Sequence, residues 1–275
     1  MLTCKEYTEL KKKELKKYIE EKGLKPCLVV IQVGDRPESN SYIRGKMRDC
    51  EEVGIECRIE KLVDDISMEE LVTEIITFNT DNTVDGIILQ LPVPDHIDVS
   101  YLQELIDIRK DVDGFNVISD FNPCTPKGVI DYLKFIDYKF EGKDALVIGR
   151  SDIVGKPLAR MLTDLDCTVT LAHSKTNNIR LHAIDADIIF SCMDKIEWFD
   201  RLQMTVMYNS NIIDIGLGIS ERDKKLHGNF ASEYIEYLRN VNPNRILISG
   251  IGGVGLLTRL ALLENVVRAA ELQKG

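Results

Sequence analysis

Tyr42 and Lys46 sit four residues apart in S-Y-I-R-G-K-M-R-D-C, residues 41–50. On a helix that spacing stacks two side chains on one face. A lysine held in a partly buried cleft loses solvation. That favours its neutral form and makes it a usable acid or base near neutral pH. The plainer alternative is a tyrosine ring packed on a lysine stem.

A second stretch, A-L-V-I-G-R-S-D-I-V-G-K-P, places Gly149, Ser151 and Gly155 between an apolar run and a helical one. Glycines there let the backbone turn tightly and let a phosphate approach the N–H groups of a helix start. Arg150 supplies a fork that can bind a phosphate through two charge-assisted hydrogen bonds. The spacing is not G-x-G-x-x-G, and a tight strand-to-helix turn with a solvated arginine is the alternative. The next apolar run ends in H-S-K-T, residues 173–176. An NAD site usually puts Asp or Glu near that place, on the adenosine ribose. Ser174 and Lys175 instead suit a ribose carrying a phosphate, so NADP is favoured and NAD is possible. An ordinary polar strand end is the competing reading.

The elements that must hold these residues alternate. Strands are predicted at 27–33, 56–62, 84–92, 144–149, 168–173, 186–191, 211–216 and 245–250, from short β-branched runs. Helices are predicted through Tyr42 and Lys46, over 67–78, near 99–107, over about 125–137, from 154, and at the apolar C-terminal segment. Ser67 and Glu70 form a capping box, and Thr125 caps a helix opened by Pro126. The run E-L-K-K-K-E-L-K-K-Y-I-E-E-K reads as an amphipathic helix with a solvated lysine face. Such alternation predicts an α/β fold, parallel sheets covered by helices, in two domains split near residues 115–125. Ligands bind beyond the carboxyl ends of such strands.

Composition narrows the partners. The 275 residues are 44% hydrophobic and 29% charged, with net charge −10. Those values fit a globular protein and weigh against a nucleic-acid footprint. No secretory signal or transmembrane span is read, so no membrane partner is expected. Seven scattered cysteines without C-x-x-C suggest reduced thiols and a cytoplasmic location. The four histidines lie far apart, and no metal site is expected.

Six stretches together resemble the bifunctional methylenetetrahydrofolate dehydrogenase/cyclohydrolases. They are V-G-D-R-P-E-S-N-S-Y-I-R-G-K (33–46), D-G-I-I-L-Q-L-P-V-P (85–94), K-D-V-D-G-F (110–115), P-C-T-P-K-G (123–128), G-R-S-D-I-V-G-K-P (149–157) and G-G-V-G-L-L-T (252–258). Their order and spacing match over nearly the whole chain. The resemblance implies two α/β domains with a folate cleft between them. Residues 1–120 plus 256–275 would form the catalytic, folate-binding domain, and 121–255 a Rossmann-like NADP-binding domain. It implies a homodimer acting on tetrahydrofolate derivatives in one-carbon metabolism. Methylenetetrahydrofolate would be oxidised by NADP to the methenyl form, then hydrolysed at the same site to 10-formyltetrahydrofolate.

Carried onto matching positions, the resemblance makes Lys46 the catalytic lysine and Tyr42 the tyrosine lining the pterin side. Gln90 would hydrogen-bond and tune the lysine; its amide adds no charge and can orient the amine. Asp113 would bind the pterin N–H groups. Leu91, Pro92, Gly252, Gly253 and Thr258 would complete the substrate site. Arg150 and Ser174 would face the NADP 2′-phosphate and Ser151 would contact a phosphate. Gly149, Ile153, Val154, Gly155, His173, Ile215 and Gly216 would line the rest of the cofactor site.

Departures concentrate on the nicotinamide side. The tail lacks both family prolines, reading Ile251-Gly252-Gly253-Val254-Gly255-Leu256. S-C-M-D-K-I (191–196) puts Asp194 where the family has a glycine turn, and the stretch down to Asp214 looks shortened. Gly228-Asn229-Phe230 replaces G-D-V, and an N-terminal D-G-K is missing. These changes predict intact cyclohydrolase activity with reduced or altered dehydrogenase activity. A monofunctional cyclohydrolase with a weakened cofactor site and a non-catalytic ligand-binding paralogue are the alternatives. A shikimate-dehydrogenase-like enzyme shares the two-domain plan but leaves Y-x-x-x-K, L-Q-L-P and D-V-D-G unexplained together.

Overall fold

A computed structural model describes residues 2–196, 210–220 and 224–274. They divide into two compact units, Thr8–Cys124 with Arg259–Gly275, and Met1–Tyr7 with Thr125–Thr258.

The first unit is built on a parallel sheet of three strands, β1 (Cys27–Val33), β2 (Glu56–Leu62) and β3 (Gly86–Gln90), in the order β2-β1-β3. Every residue of β1 is buried. Leu28 and Val30 face a core shared with Ile43, Cys50 and Val53 of α2 (Pro37–Val53) and with Leu262, Leu263 and Val266 of the C-terminal helix. Val29 and Ile31 face the other core, against Leu71 and Ile75 of α3 (Met68–Thr80) and Leu102 of α4 (Val99–Leu105). A parallel strand covered on both faces reads as an unbroken apolar run, which is why C-L-V-V-I-Q-V lacks alternation. Truncating one of these fully buried side chains, Ile75→Ala for instance, costs about 2–5 kcal/mol. α1 (Cys4–Lys22) runs along the lysine-rich segment. Its first residues belong to the second unit, where Tyr7 packs on Tyr132 and Phe135.

The capping box forms as expected: Glu70 N–H donates to Ser67 Oγ at 3.2 Å and Ser67 N–H to Glu70 Oε2 at 2.9 Å. Thr125 is not a cap. α5 (Cys124–Phe135) already includes it, and its hydroxyl pairs with that of Thr258 at 3.1 Å.

The second unit carries a parallel sheet of β4 (Asp144–Ile148), β5 (Thr168–Ala172), β6 (Ile188–Ser191), β7 (Asn211–Asp214) and a short edge strand, β10 (Leu247–Ile248). The spatial order is β5-β4-β6-β7-β10. That is the 2-1-3-4-5 winding, which reverses direction between the first and third strands, β4 and β6. Leu146, Ile189 and Ile212 pack under Phe230, Tyr234 and Leu238, the last two from α8 (Ser232–Val241). α6 (Gly155–Thr163) follows β4 and the six-residue α7 (Ile179–Ile184) follows β5. A small antiparallel hairpin, β8 (Leu217–Ile219) with β9 (Leu226–Gly228), has no counterpart in the sequence reading, nor have α7 and α8. The strand expected at 245–250 shrinks to two residues, because Gly250–Val254 winds into an irregular turn with Gly252 at φ 71°.

α9 (Gly255–Lys274) has apolar residues spread around it without one dominant face, and the span Gly250–Lys274 is, by length and composition only, apolar enough to cross a membrane. Within the span Gly250–Lys274, 61% of its most apolar window is buried inside the molecule, as in a core helix. Among the described residues no group of three or more His, Cys, Asp or Glu could hold a metal ion. None of the seven cysteines forms a disulfide. Part of the stretch expected to be shortened, 197–209, lies outside the described residues.

Candidate active site

Three of the residues singled out for catalysis meet in the first unit. Lys46 lies in the middle of α2, Gln90 ends β3, and Asp113 sits in the loop before α5. Lys46 Nζ donates to Gln90 Oε1 at 3.1 Å, and Gln90 Nε2 donates to Leu91 O at 2.7 Å. Leu91 and Pro92 follow directly, joined by a cis peptide bond.

Burial pushes the Asp113 carboxyl above the usual carboxylate range, while the charge of Lys46 and a hydrogen bond from the Cys124 thiol pull it back. The loop bearing Asp113 is tied to α9 by Asn265, a buried amide whose Nδ2 donates to Val112 O at 2.9 Å and to Asn122 O at 3.3 Å. A hydrogen bond with Cys50 holds the Cys57 thiol low against its burial, with help from the Lys46 charge. Tyr42, one turn before Lys46, is 48% exposed. The lysine amine therefore engages an amide across the sheet edge, and the ring stays open for contact with a ligand.

Gly252, Gly253 and Thr258 belong to the second unit. Thr258 Oγ1 donates to Val254 O at 3.0 Å and pairs with Thr125, so both hydroxyls have protein partners.

The second unit contains a cavity of about 800 Å³ at the carboxyl ends of β4, β5 and β6. Gly149, Arg150, Ser151, His173 and Ser174, all marked from sequence, line it. Ile153, Val154, Gly155, Ile215 and Gly216 are outside its lining; Val154 and Gly155 start α6. Thr176 of the H-S-K-T turn and Cys192, Met193, Asp194 and Lys195 of the 191–196 stretch line it too, whereas Asn178, Ile179 and Arg180 line it without having been foreseen. The winding order would have found these last three: they follow β5, a neighbour of β4 at the reversal point.

The turn after β4 is built for close approach. Gly149 has φ 123°, and a Cβ there would lie 2.5 Å from Cys192 O. Ser151 Oγ accepts from Gly155 N–H at 3.3 Å at the start of α6, whose N-cap, Val154, offers no side-chain cap. The H-S-K-T turn is fixed by His173 N–H to Thr176 Oγ1 at 2.9 Å and Lys175 N–H to His173 Nδ1 at 3.2 Å. Arg150, Arg180 and Lys195 bring positive charge to the lining, with Asp194 opposing it. A glycine turn too tight for a side chain, a helix start without a side-chain cap and three cations suit a dinucleotide rich in phosphate.

These features define a two-unit α/β protein with an amine–amide–carboxyl site on one unit and, on the other, a cavity suited to a nucleotide. Comparison with known proteins agrees. Residues 2–113 match the family described as tetrahydrofolate dehydrogenase/cyclohydrolase, catalytic domain, and residues 123–274 match its NAD(P)-binding domain. The bifunctional protein FolD of Campylobacter jejuni is 38% identical over 282 residues, covering 98% of this chain and 96% of its own. The crystal structure of the C. jejuni enzyme superposes with a TM-score of 0.88 at 36% identity, covering 97% of this chain and 96% of its own. A Trypanosoma brucei FolD complexed with NADP and an inhibitor gives 0.88 at 26% identity, covering 99% and 97%. The chain belongs to the tetrahydrofolate dehydrogenase/cyclohydrolase family.

Proposed function

We propose that this protein oxidises 5,10-methylenetetrahydrofolate to the 5,10-methenyl form with NADP and hydrolyses that cation to 10-formyltetrahydrofolate, with Lys46 as the acid/base. The carrying observation is the hydrogen bond between Lys46 Nζ and Gln90 Oε1, beside Asp113, in a chain of this family.

Hydrolysis of the methenyl cation requires a proton taken from the attacking water and one returned to the departing ring nitrogen. The Lys46 amine accepts the first and delivers the second. Gln90 holds the amine at a fixed point without adding charge, and Asp113 anchors the pterin N–H groups. Tyr42 presents its ring to the pterin face. Leu91, Pro92, Gly252, Gly253 and Thr258 complete the substrate contacts in this reading.

NADP, when bound, supplies the hydride acceptor. Gly149, Ser151 and the start of α6 would hold its pyrophosphate, and Arg150 with Ser174 its 2′-phosphate. Ile153, Val154, His173, Ile215 and Gly216 would complete its surroundings. Hydride transfer needs no side-chain acid or base; the chain's part is to hold the reacting carbons together and exclude water. Residues 1–120 with 256–275 serve as the folate domain and 121–255 as the nucleotide domain. A homodimer and a cytoplasmic location complete the proposal, supported by the family and by seven cysteines without a disulfide.

Separate assays of methenyl and formyl products, with NADP and with NAD, test it. Wild-type protein should form both products, NADP being preferred. Lys46→Met should lower hydrolysis by about 10²–10⁴-fold while the fold and NADP binding persist. Wild-type hydrolysis in that variant would refute the role of Lys46.

A further inference from the structure

Asn229 follows β9 and is fully buried. Its side chain wraps the segment after β6. Oδ1 accepts from Ser191 Oγ at 2.5 Å and from Met193 N–H at 3.2 Å. Nδ2 donates to Met193 O at 3.0 Å and to Lys195 O at 2.6 Å. Its own backbone N–H is anchored on Asp214 Oδ1 at 3.1 Å, at the end of β7. Gly216 gives it room: a Cβ at that position would lie 2.3 Å from Asn229 Oδ1.

The segment it grips matters because Cys192, Met193, Asp194 and Lys195 form one wall of the nucleotide cavity. Residues 192–195 belong to no helix or strand. Two of their carbonyls and one N–H take their hydrogen bonds from one side chain. Only an amide can do this, since it donates and accepts at once. A carboxylate of the same shape would turn an oxygen toward two carbonyl oxygens.

We infer that Asn229 is a positioning residue for the nicotinamide cofactor: it sets the path of residues 192–195 and thereby the shape of the cofactor wall. The inference rests on reading the cavity as the NADP site. It also accounts for how a segment with Asp194 in place of a glycine turn is held in one course.

Asn229→Asp is the sharp variant: it keeps the volume and the Oδ1 acceptor, replaces the two donors by a second oxygen, and restores the aspartate of the family's G-D-V, so that any loss reflects the 192–195 segment of this chain. Calorimetric titration with NADP should show affinity about tenfold weaker or more, as expected when the carbonyls of Met193 and Lys195 lose their donors. Hydrolysis of methenyltetrahydrofolate, which depends on Lys46, Gln90 and Asp113 in the other unit, should stay within about twofold of wild type. A merely structural defect would lower both together. Ser191→Ala removes one donor to the same amide and should weaken NADP about threefold, in the same direction. A folded Asn229→Asp protein with NADP affinity within twofold of wild type overturns the inference. If that variant does not fold, unchanged NADP affinity in Ser191→Ala overturns it. Wild-type protein that hydrolyses methenyltetrahydrofolate yet fails to bind NADP refutes the cavity assignment and the inference with it.

Discussion

Lys46 Nζ meets Gln90 Oε1 at 3.1 Å while the same amide's nitrogen is engaged by Leu91 O at 2.7 Å. The second bond decides which end of the amide faces the lysine. Gln90 therefore offers the amine an acceptor and no competing donor.

Replacing Gln90 by Leu keeps the bulk and removes that acceptor. A hydrogen bond to a charged group is worth about 1.5–3 kcal/mol, so hydrolysis kcat should fall about 10–100-fold. NADP affinity should not change, since Gln90 is in the unit without the cavity. Steady-state hydrolysis kinetics with an NADP titration check both halves. An unchanged kcat would mean that the lysine is oriented by something else.

Cofactor choice should turn on the H-S-K-T turn. Ser174 and Arg150 both line the cavity, at the ends of β5 and β4. An aspartate at position 174 would repel a 2′-phosphate and accept from a ribose hydroxyl. Ser174→Asp should raise KM for NADP by about 100-fold and lower KM for NAD, while Arg150→Ala should weaken NADP alone by about 10–100-fold. Initial rates with each cofactor give the answer. If NADP and NAD are affected equally, the 2′-phosphate is bound elsewhere.

The first unit was the more legible one in sequence. Its candidate trio stands on a long helix, the end of a short strand and a motif loop: pattern placed the helix around Lys46 and the strand that ends at Gln90, and the family resemblance singled out the three residues. The cofactor wall was less legible because its residues come from short connections. Arg180 lies on a six-residue helix with no strong apolar period, and Met193 and Lys195 are placed by Asn229, more than thirty residues on. Asn265 was invisible for the same reason: its partners, Val112 and Asn122, are over 140 residues away. Thr125 misled because a hydroxyl before a proline reads as a cap, while its actual partner, Thr258, is set by tertiary structure.

A charge cluster one turn beyond Lys46 should govern the stability of the first unit. Asp49, 3% exposed, accepts from Lys12 Nζ at 2.5 Å and from Arg259 Nε at 2.5 Å, so α2 is tied to α1 and α9. Removing Asp49 takes the carboxylate from Arg259 and leaves Lys12 only the exposed Glu52, 2.8 Å away, at a cost of up to about 3–5 kcal/mol. Asp49→Ala should lower the denaturant midpoint accordingly. Replacing all three residues by apolar ones, Lys12→Met, Asp49→Leu and Arg259→Met, should recover most of that loss. A single variant within about 0.5 kcal/mol of wild type would show that the cluster contributes nothing net.

Asp214 should make the second unit's stability depend on pH. The carboxyl is 1% exposed and burial pushes it from 3.8 up to about 7, although the N–H groups of Asn229 and Phe230 pull the other way. The folded protein thus holds a proton that the unfolded chain releases near 3.8. Its contribution is fully present below that value, fades as pH rises, and is gone once pH passes about 7. At 1.36 kcal/mol per pH unit the whole effect is at most about 4 kcal/mol. Unfolding free energies of wild type and Asp214→Asn, measured from pH 4 to pH 8.5, isolate it from other titrating groups. The wild-type value should fall relative to the variant across that range and level off above about pH 7.5. A constant difference would mean that Asp214 is already ionised in the folded protein at pH 4, and that the two N–H groups outweigh its burial.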